Sequence, residues 1–149
     1  MNIVFDMDNT LSDELGKCLR PGIVELLERL ENDGHILSLW TSSTRERALS
    51  ILYGLKLREH FKTLVYREDY DPENVGLGKD IREICGDFLI DDDPYQVEYA
   101  KSIGKKGYLV KAFRAGNRID SHELEDLYLS IKYSSHPFGS LIKWVKMHI

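Results

Sequence analysis

Apolar residues recur at the i, i+3, i+4, i+7 spacing of a one-faced helix in Ile23/Leu26/Leu27/Leu30, Ala48/Ile51/Leu52/Leu55, Leu124/Leu127/Tyr128/Ile131 and Phe138/Leu141/Ile142/Val145. Between and before them lie short β-rich runs: Asn2 to Phe5, His35 to Trp40, Leu64 to Tyr66, Phe88 to Ile90 and Tyr108 to Val110. Each is too short for a helix. Strands that alternate with helices predict right-handed crossovers and a mostly parallel central sheet covered on both faces, a three-layer α/β/α fold.

Punctuation marks the element ends. Pro21 and Gly22 open the first helix, and Gly34 stands where a left-handed cap closes it. Asp93-Pro94 reads as an N-cap followed by proline in the first helical position. The acidic stretch from Arg67 to Gly78 reads as a loop. No repeat or linker appears, so one domain over 1–149 is expected, with a motif core at 2–110 and an additional helical segment at 120–149. Only Leu11 to Leu19 separate Thr10 from Arg20, too few residues for a large cap, so the site should open to solvent.

Composition narrows the classes. At 149 residues and 42% hydrophobic, the chain can form a core without disulfides or a structural metal. No apolar run approaches the ~18 residues of a membrane span. The N-terminus turns acidic at Asp6 and Asp8, unlike a secretory leader, and Cys18 and Cys85 form no C-x-x-C pattern. A cytoplasmic protein with reduced thiols is expected. A net charge of −5 argues against general nucleic-acid binding. The amphipathic terminal segment suits its own sheet and a second copy equally well, so the oligomeric state stays open.

Ligands of an open parallel sheet bind beyond the carboxyl ends of its strands. There the chain places Asp6-Met7-Asp8-Asn9-Thr10, then Thr41-Ser42-Ser43, then Asp91-Asp92-Asp93, with Lys79 ahead of the fourth strand. Two carboxylates about 4 Å apart repel by roughly 4 kcal/mol at an effective dielectric of 20, so cations must join them. Lys79 is one. Hard oxygen donors without His or Cys nearby favour Mg²⁺ as the other, and disfavour zinc. Mg²⁺, lysine and hydroxyl together suit a phosphoryl group, so a phosphorylated small molecule or a macromolecular phosphate is the expected partner. Asp6 is then a nucleophile and Asp8, once protonated, a general acid that later serves as base.

Asp6-Met7-Asp8-Asn9-Thr10-Leu11 resembles the D-x-D-x-T first motif of the haloacid-dehalogenase superfamily, and Thr41, Lys79 and Asp91-Asp92 resemble its second to fourth motifs in order. Leu19-Arg20-Pro21-Gly22, Leu39-Trp40-Thr41-Ser42, Tyr66-Arg67-Glu68, Gly78-Lys79-Asp80 and Ile90-Asp91-Asp92-Asp93-Pro94 resemble, more narrowly, its NLI-interacting-factor branch, which includes the small C-terminal-domain phosphatases. The likeness runs from about Asn2 to Val110. It implies a Rossmann-like phosphatase domain, with Mg²⁺ held by Asp6, the Asp8 main-chain carbonyl and Asp92. Asp91 is an alternative ligand or a neighbour of the ion. It also implies that Thr41 and Lys79 bind phosphate, with Lys79 neutralising Asp6. The short Leu11 to Leu19 stretch lacks the β-rich insertion of members that act on phosphorylated peptide tails, which points to phosphomonoester hydrolysis in general.

Other readings stand beside these. Ser42 could replace the Thr41 hydroxyl, Asp93 is explained as an N-cap, and Arg45 and Arg67 read as solvated. A signalling receiver also uses acids, a hydroxyl and a lysine, but in another chain order. A phosphate-binding protein without turnover is the remaining alternative.

Overall fold

A computed structural model describes residues 1–116 and 122–134. Five parallel strands form one sheet: β1 (Asn2–Phe5), β2 (Ile36–Trp40), β3 (Thr63–Val65), β4 (Phe88–Asp91) and β5 (Lys106–Leu109). The helices are α1 (Ile23–Asn32), α2 (Arg45–Gly54), α3 (Arg67–Tyr70), α4 (Pro94–Ser102) and α5 (Glu123–Ser134). The chain divides into two compact units, Met1–Ile119 and Asp120–Ile149; of the second only α5 and His122 before it are described.

The strand order is β3-β2-β1-β4-β5. Crossovers leave β1 in both directions, so the crevice between the ends of β1 and β4 is the topological switch point. Flavodoxin-like sheets, the fold of signalling receivers, run 2-1-3-4-5 instead. The receiver alternative is set aside on this order.

Central strands of a parallel sheet are buried on both faces, which is why Ile3 to Phe5 of β1 and Phe88 to Ile90 of β4 are apolar. On one face Val4, Trp40, Val65, Ile81 and Leu89 pack with Ala100 of α4. Right-handed crossovers put α1 and α2 over the other face, where Ile23, Leu26, Leu27 and Leu30 form the buried stripe of α1.

Gly34, at φ 90, closes α1 as expected: its amide donates to the Glu31 carbonyl at 3.0 Å and the next amide, of His35, to Leu30 at 3.1 Å. The opening differs slightly, because Gly22 at φ 82 is itself the N-cap and Pro21 precedes it. Asp93 caps α4, its side chain accepting the Tyr95 amide at 2.9 Å.

Several boundaries depart from the sequence reading, most of them by one residue. Within the Arg67 to Gly78 stretch, α3 makes one helical turn, since Asp69 reaches back to accept the Tyr66 amide at 2.9 Å. β3 begins one residue earlier than its apolar run, and β5 two, because pairing with β4 recruits Lys106 and Gly107 at the sheet edge. The expected helix through Phe138, Leu141, Ile142 and Val145 lies outside the described residues.

The stretch from Leu11 to Leu19 folds into a compact loop. Asp13 accepts the amides of Lys17 and Cys18 at 2.8 and 3.1 Å. Gly16, at φ 68, lies so close to Ile51 of α2 that a Cβ there would fall 2.4 Å from its Cδ1. Only glycine fits that approach.

Candidate active site

Four of the sequence-selected residues converge at the switch point. Asp6 follows β1, its amide donating to the Ile90 carbonyl of β4 at 2.9 Å. Asp91 ends β4, and Asp92 follows it. Lys79 completes the group from the loop between α3 and β4. Its Nζ donates to Asp6 Oδ1 at 2.9 Å and to Asp91 Oδ2 at 2.7 Å.

The lysine is built in from the backbone outward. Asp71 winds the preceding loop around itself by accepting the amides of Val75, Gly76 and Leu77 at 2.9 to 3.2 Å. Burial opposes the charge on Asp71, but those donors prevail and hold its carboxyl below the usual range. Gln96 of α4 then accepts the Lys79 amide at 2.7 Å and donates to the Leu77 carbonyl at 3.1 Å. At Gly78 a Cβ would stand 2.7 Å from the Tyr99 ring, so this residue must be glycine for the loop to lie where it does.

One buried ammonium thus serves two buried carboxylates, 7% and 1% exposed. Burial pushes Asp6 up to about 6, against the pull of Lys79 and with a further push from Asp92. Burial and the Asp6 charge push Asp91 up to about 7, again against Lys79. For Lys79 burial works against the charge, yet the two acids outweigh it and hold the ammonium above the usual lysine range. With every acid ionised the cluster carries surplus negative charge in a poorly solvated place, and a divalent cation is its natural complement.

The donor set fits such an ion. Carboxylate oxygens of Asp6, Asp91 and Asp92 lie within 4.8 Å of one another. All are hard donors of the kind Mg²⁺ takes. The Thr10 hydroxyl sits 3.0 Å from Asp6 Oδ2 and 3.3 Å from Asp92 Oδ1, joining two of them. Asp91 is the more committed, with Oδ2 on Lys79 and Oδ1 accepting the Asp93 amide at 3.0 Å.

The remaining residues lie at the rim. Asp8 points to α2, where Arg47 holds both its oxygens at 2.8 Å. Thr41 is buried, and its Oγ1 accepts the Ser43 amide at 3.0 Å. Ser42 is exposed and shares a concavity with Asp8. Of the other two arginines weighed in the sequence, Arg67 lines the same concavity and Arg45 lies over the Tyr66 ring.

Over residues 17–74 the sequence matches the family model of haloacid dehalogenase-like hydrolases. Solved structures agree over most of the chain. A hydrolase from Streptococcus pneumoniae is 16% identical with a TM-score of 0.61, over 75% of this chain and 93% of that one. A haloacid-dehalogenase-superfamily hydrolase from Ehrlichia chaffeensis is 16% identical with a TM-score of 0.61, over 87% and 95%. A D,D-heptose 1.7-bisphosphate phosphatase from B. bronchiseptica, solved with magnesium and phosphate, is 12% identical with a TM-score of 0.65, over 90% and 99%. The fold is that of the haloacid dehalogenase-like hydrolases. No match was found among curated protein sequences.

The model match to this haloacid dehalogenase-like family contains Thr41 and Ser42, whereas Asp6, Asp8, Lys79, Asp91 and Asp92 lie outside it. The sequence reading did not anticipate four supporting residues. Arg47 fixes Asp8, and Gln96 and Asp71 fix Lys79. Buried Arg20 clamps the turn after Asp8, donating to the Thr10 carbonyl at 2.8 Å, to Asn9 at 3.0 Å and to Lys111. Of these, only Arg20 carried a signal, as part of Leu19-Arg20-Pro21-Gly22.

Proposed function

We propose that the protein is a Mg²⁺-dependent phosphomonoester hydrolase acting through an aspartyl-phosphate. The observation that carries this reading is the buried Lys79 ammonium bridging Asp6 and Asp91 beside Asp92, at the strand ends where haloacid dehalogenase-like hydrolases carry their motifs. Asp6, Asp92 and the Asp8 main-chain carbonyl would hold the ion, with Asp91 as the alternative ligand. When bound, Mg²⁺ would neutralise phosphoryl oxygens and orient the transferring group.

The chain's own groups carry the steps. An Asp6 carboxylate oxygen attacks phosphorus, and the bond to the leaving oxygen breaks as Asp8, with one oxygen turned from Arg47 and protonated, delivers that proton to the leaving oxygen. Asp8, now ionised, takes a proton from water, which attacks the aspartyl-phosphate, releases inorganic phosphate and restores Asp6. Lys79 binds the phosphoryl oxygens and keeps Asp6 ionised, and Thr41 offers a hydroxyl from the end of β2. The compact Leu11 to Leu19 loop leaves Asp8, 28% exposed at its side chain, accessible to substrate and water. The narrower likeness to the NLI-interacting-factor branch rests on the quoted motifs around Arg20, Thr41 and Asp92. No helix among the described residues is long and apolar enough to cross a membrane, and a cytoplasmic setting belongs to this proposal, both cysteines being free.

The test is turnover of p-nitrophenyl phosphate with Mg²⁺. Activity should vanish in EDTA and in Asp6→Asn, while Asp8→Asn should lose turnover and still bind metal and phosphate. Full activity in Asp6→Asn would refute the nucleophile. Stoichiometric binding of phosphate esters by the wild type without turnover would favour a catalytically idle binding protein.

A further inference from the structure

Beside the proposed phosphoryl site lies a concavity of about 360 Å³ lined by Asp8, Ser42, Ser43, Thr44, Arg47 and Arg67. None of these side chains is apolar. What the concavity holds follows from the phosphatase reading, on which this inference rests. A general acid must touch the leaving oxygen, so the space containing the Asp8 carboxylate receives the body of the substrate beyond the transferred phosphoryl group.

Charge in this space does not cancel. Arg47 is matched by Asp8 and also donates to Ser43 Oγ at 3.1 Å. Among the described residues Arg67 has no such partner. Its Nε donates to the Ser42 carbonyl at 2.8 Å and its amide to the Ser43 carbonyl at 3.0 Å. These bonds anchor the guanidinium and leave both terminal nitrogens without a hydrogen-bond partner among the described residues. Asp71 is within electrostatic reach of Arg67, but its oxygens are occupied by three amides. The Ser42 hydroxyl, on the segment that Arg67 grips, is likewise unengaged among the described residues. A planar fork fixed through Nε is preorganised for bidentate contact with an oxyanion.

We propose that this concavity binds a second phosphate on the same substrate molecule, with the Arg67 terminal nitrogens and the Ser42 hydroxyl as donors. The substrate is then a bisphosphorylated small molecule, one phosphate being hydrolysed and the other gripped. The volume suits a compact body, at the lower end of small-molecule sites. Arg67 sets specificity, and Asp6 and Asp8 do the chemistry.

The experiment compares kcat/KM for glucose phosphate, glucose bisphosphate and adenosine bisphosphate, with p-nitrophenyl phosphate as reference. In the wild type the bisphosphates should exceed glucose phosphate by about tenfold or more, chiefly through KM, as for a charge-assisted hydrogen-bond pair. The sugar and nucleoside arms show which body is accepted. Arg67→Gln should collapse the preference, and Arg67→Lys, keeping charge without the fork, should retain part of it. Calorimetric titration of Asp6→Asn with glucose bisphosphate reads the same preference without turnover.

Hydrolysis of p-nitrophenyl phosphate with no bisphosphate preference, or a preference that survives Arg67→Gln, overturns the inference and leaves the phosphatase reading intact. Arg67-dependent binding of bisphosphate without turnover of any ester overturns the phosphatase reading and leaves only the Arg67 phosphate contact of the inference. Preference for a phosphorylated oligonucleotide end over both bisphosphates overturns the small-molecule assignment.

Discussion

Arg47 meets Asp8 through both terminal guanidinium nitrogens, each 2.8 Å from a different carboxylate oxygen. The pair is partly exposed, 40% for the arginine side chain and 28% for the aspartate, so solvent screens it and its worth to stability is under about 1 kcal/mol. Its effect on chemistry should be larger. A general acid contributes only when its oxygen reaches the leaving group, so Asp8 must turn one oxygen from Arg47 to act, while the guanidinium holds the other and keeps the carboxyl at the rim. Arg47→Ala is expected to lower kcat on p-nitrophenyl phosphate by about tenfold, with little change in melting temperature. Arg47→Lys should recover a part, since lysine supplies charge without the fork. An unchanged kcat in Arg47→Ala would reduce the contact to a surface ion pair.

Lys79 is the opposite case, a cation buried to 3% exposure between two buried acids. Removing one member of such a group leaves uncompensated charge and costs about 3–5 kcal/mol. Lys79→Met should destabilise the metal-free protein by an amount in that range, measured by urea unfolding at neutral pH. Mg²⁺ should restore part of the loss by supplying positive charge to Asp6 and Asp91. A variant as stable as the wild type in EDTA would show that the two carboxyls do not share a charge deficit.

The same cluster sets a pH dependence. Asp6 and Asp91 are raised from 3.8 to about 6 and about 7. A carboxyl raised on folding adds stability that is complete below its unfolded value and is lost as pH rises through the folded one. Lys79, also raised, loses its contribution only above 10.5, outside the working range. The melting temperature of the wild type minus that of Asp6→Asn, in EDTA, should therefore fall by a few degrees between about pH 5 and pH 8. The difference cancels groups such as Asp71 that both proteins share. Stabilisation by Mg²⁺ should grow over the same interval, because metal binding releases the retained protons. A flat difference would contradict the crowding of acids at the strand ends.

The sequence exposed those parts of the fold and site whose cause is local. Leu26, Leu27 and Leu30 announce α1 because a helix buries one stripe, and Gly34 marks its end because the cap needs a left-handed residue. β5 was misplaced because an edge strand is defined by backbone pairing, which Lys106 and Gly107 supply without apolar side chains. Asp6, Asp91 and Asp92 were legible from their positions after strands, and Lys79 from its place ahead of β4. Arg47 was not, since an arginine in the first turn of a helix looks solvated, and its partner lies 39 residues away. Gln96 was hidden for the same reason: its bond to the Lys79 amide spans 17 residues and follows only from the way α4 packs beside the loop.

Gly78 tests whether the loop geometry behind Lys79 matters for chemistry. A Cβ at this position would lie 2.7 Å from several atoms of the Tyr99 ring, so either the ring or the loop must move. Tyr99 is stacked on Tyr95 along α4, with centroids 6.5 Å apart, which resists the first option. Displacing the loop instead shifts Lys79, whose ammonium sits within 2.9 Å of two acids and tolerates little movement. Gly78→Ala should cost about 1–3 kcal/mol of stability through overpacking and lower kcat/KM for p-nitrophenyl phosphate. Adding Tyr99→Ala should return much of both, because the double variant opens space where the methyl group lands. The non-additivity between the two substitutions is the quantity to measure. Additive effects would mean that the ring and the loop backbone do not meet, and that another constraint holds Lys79 in place.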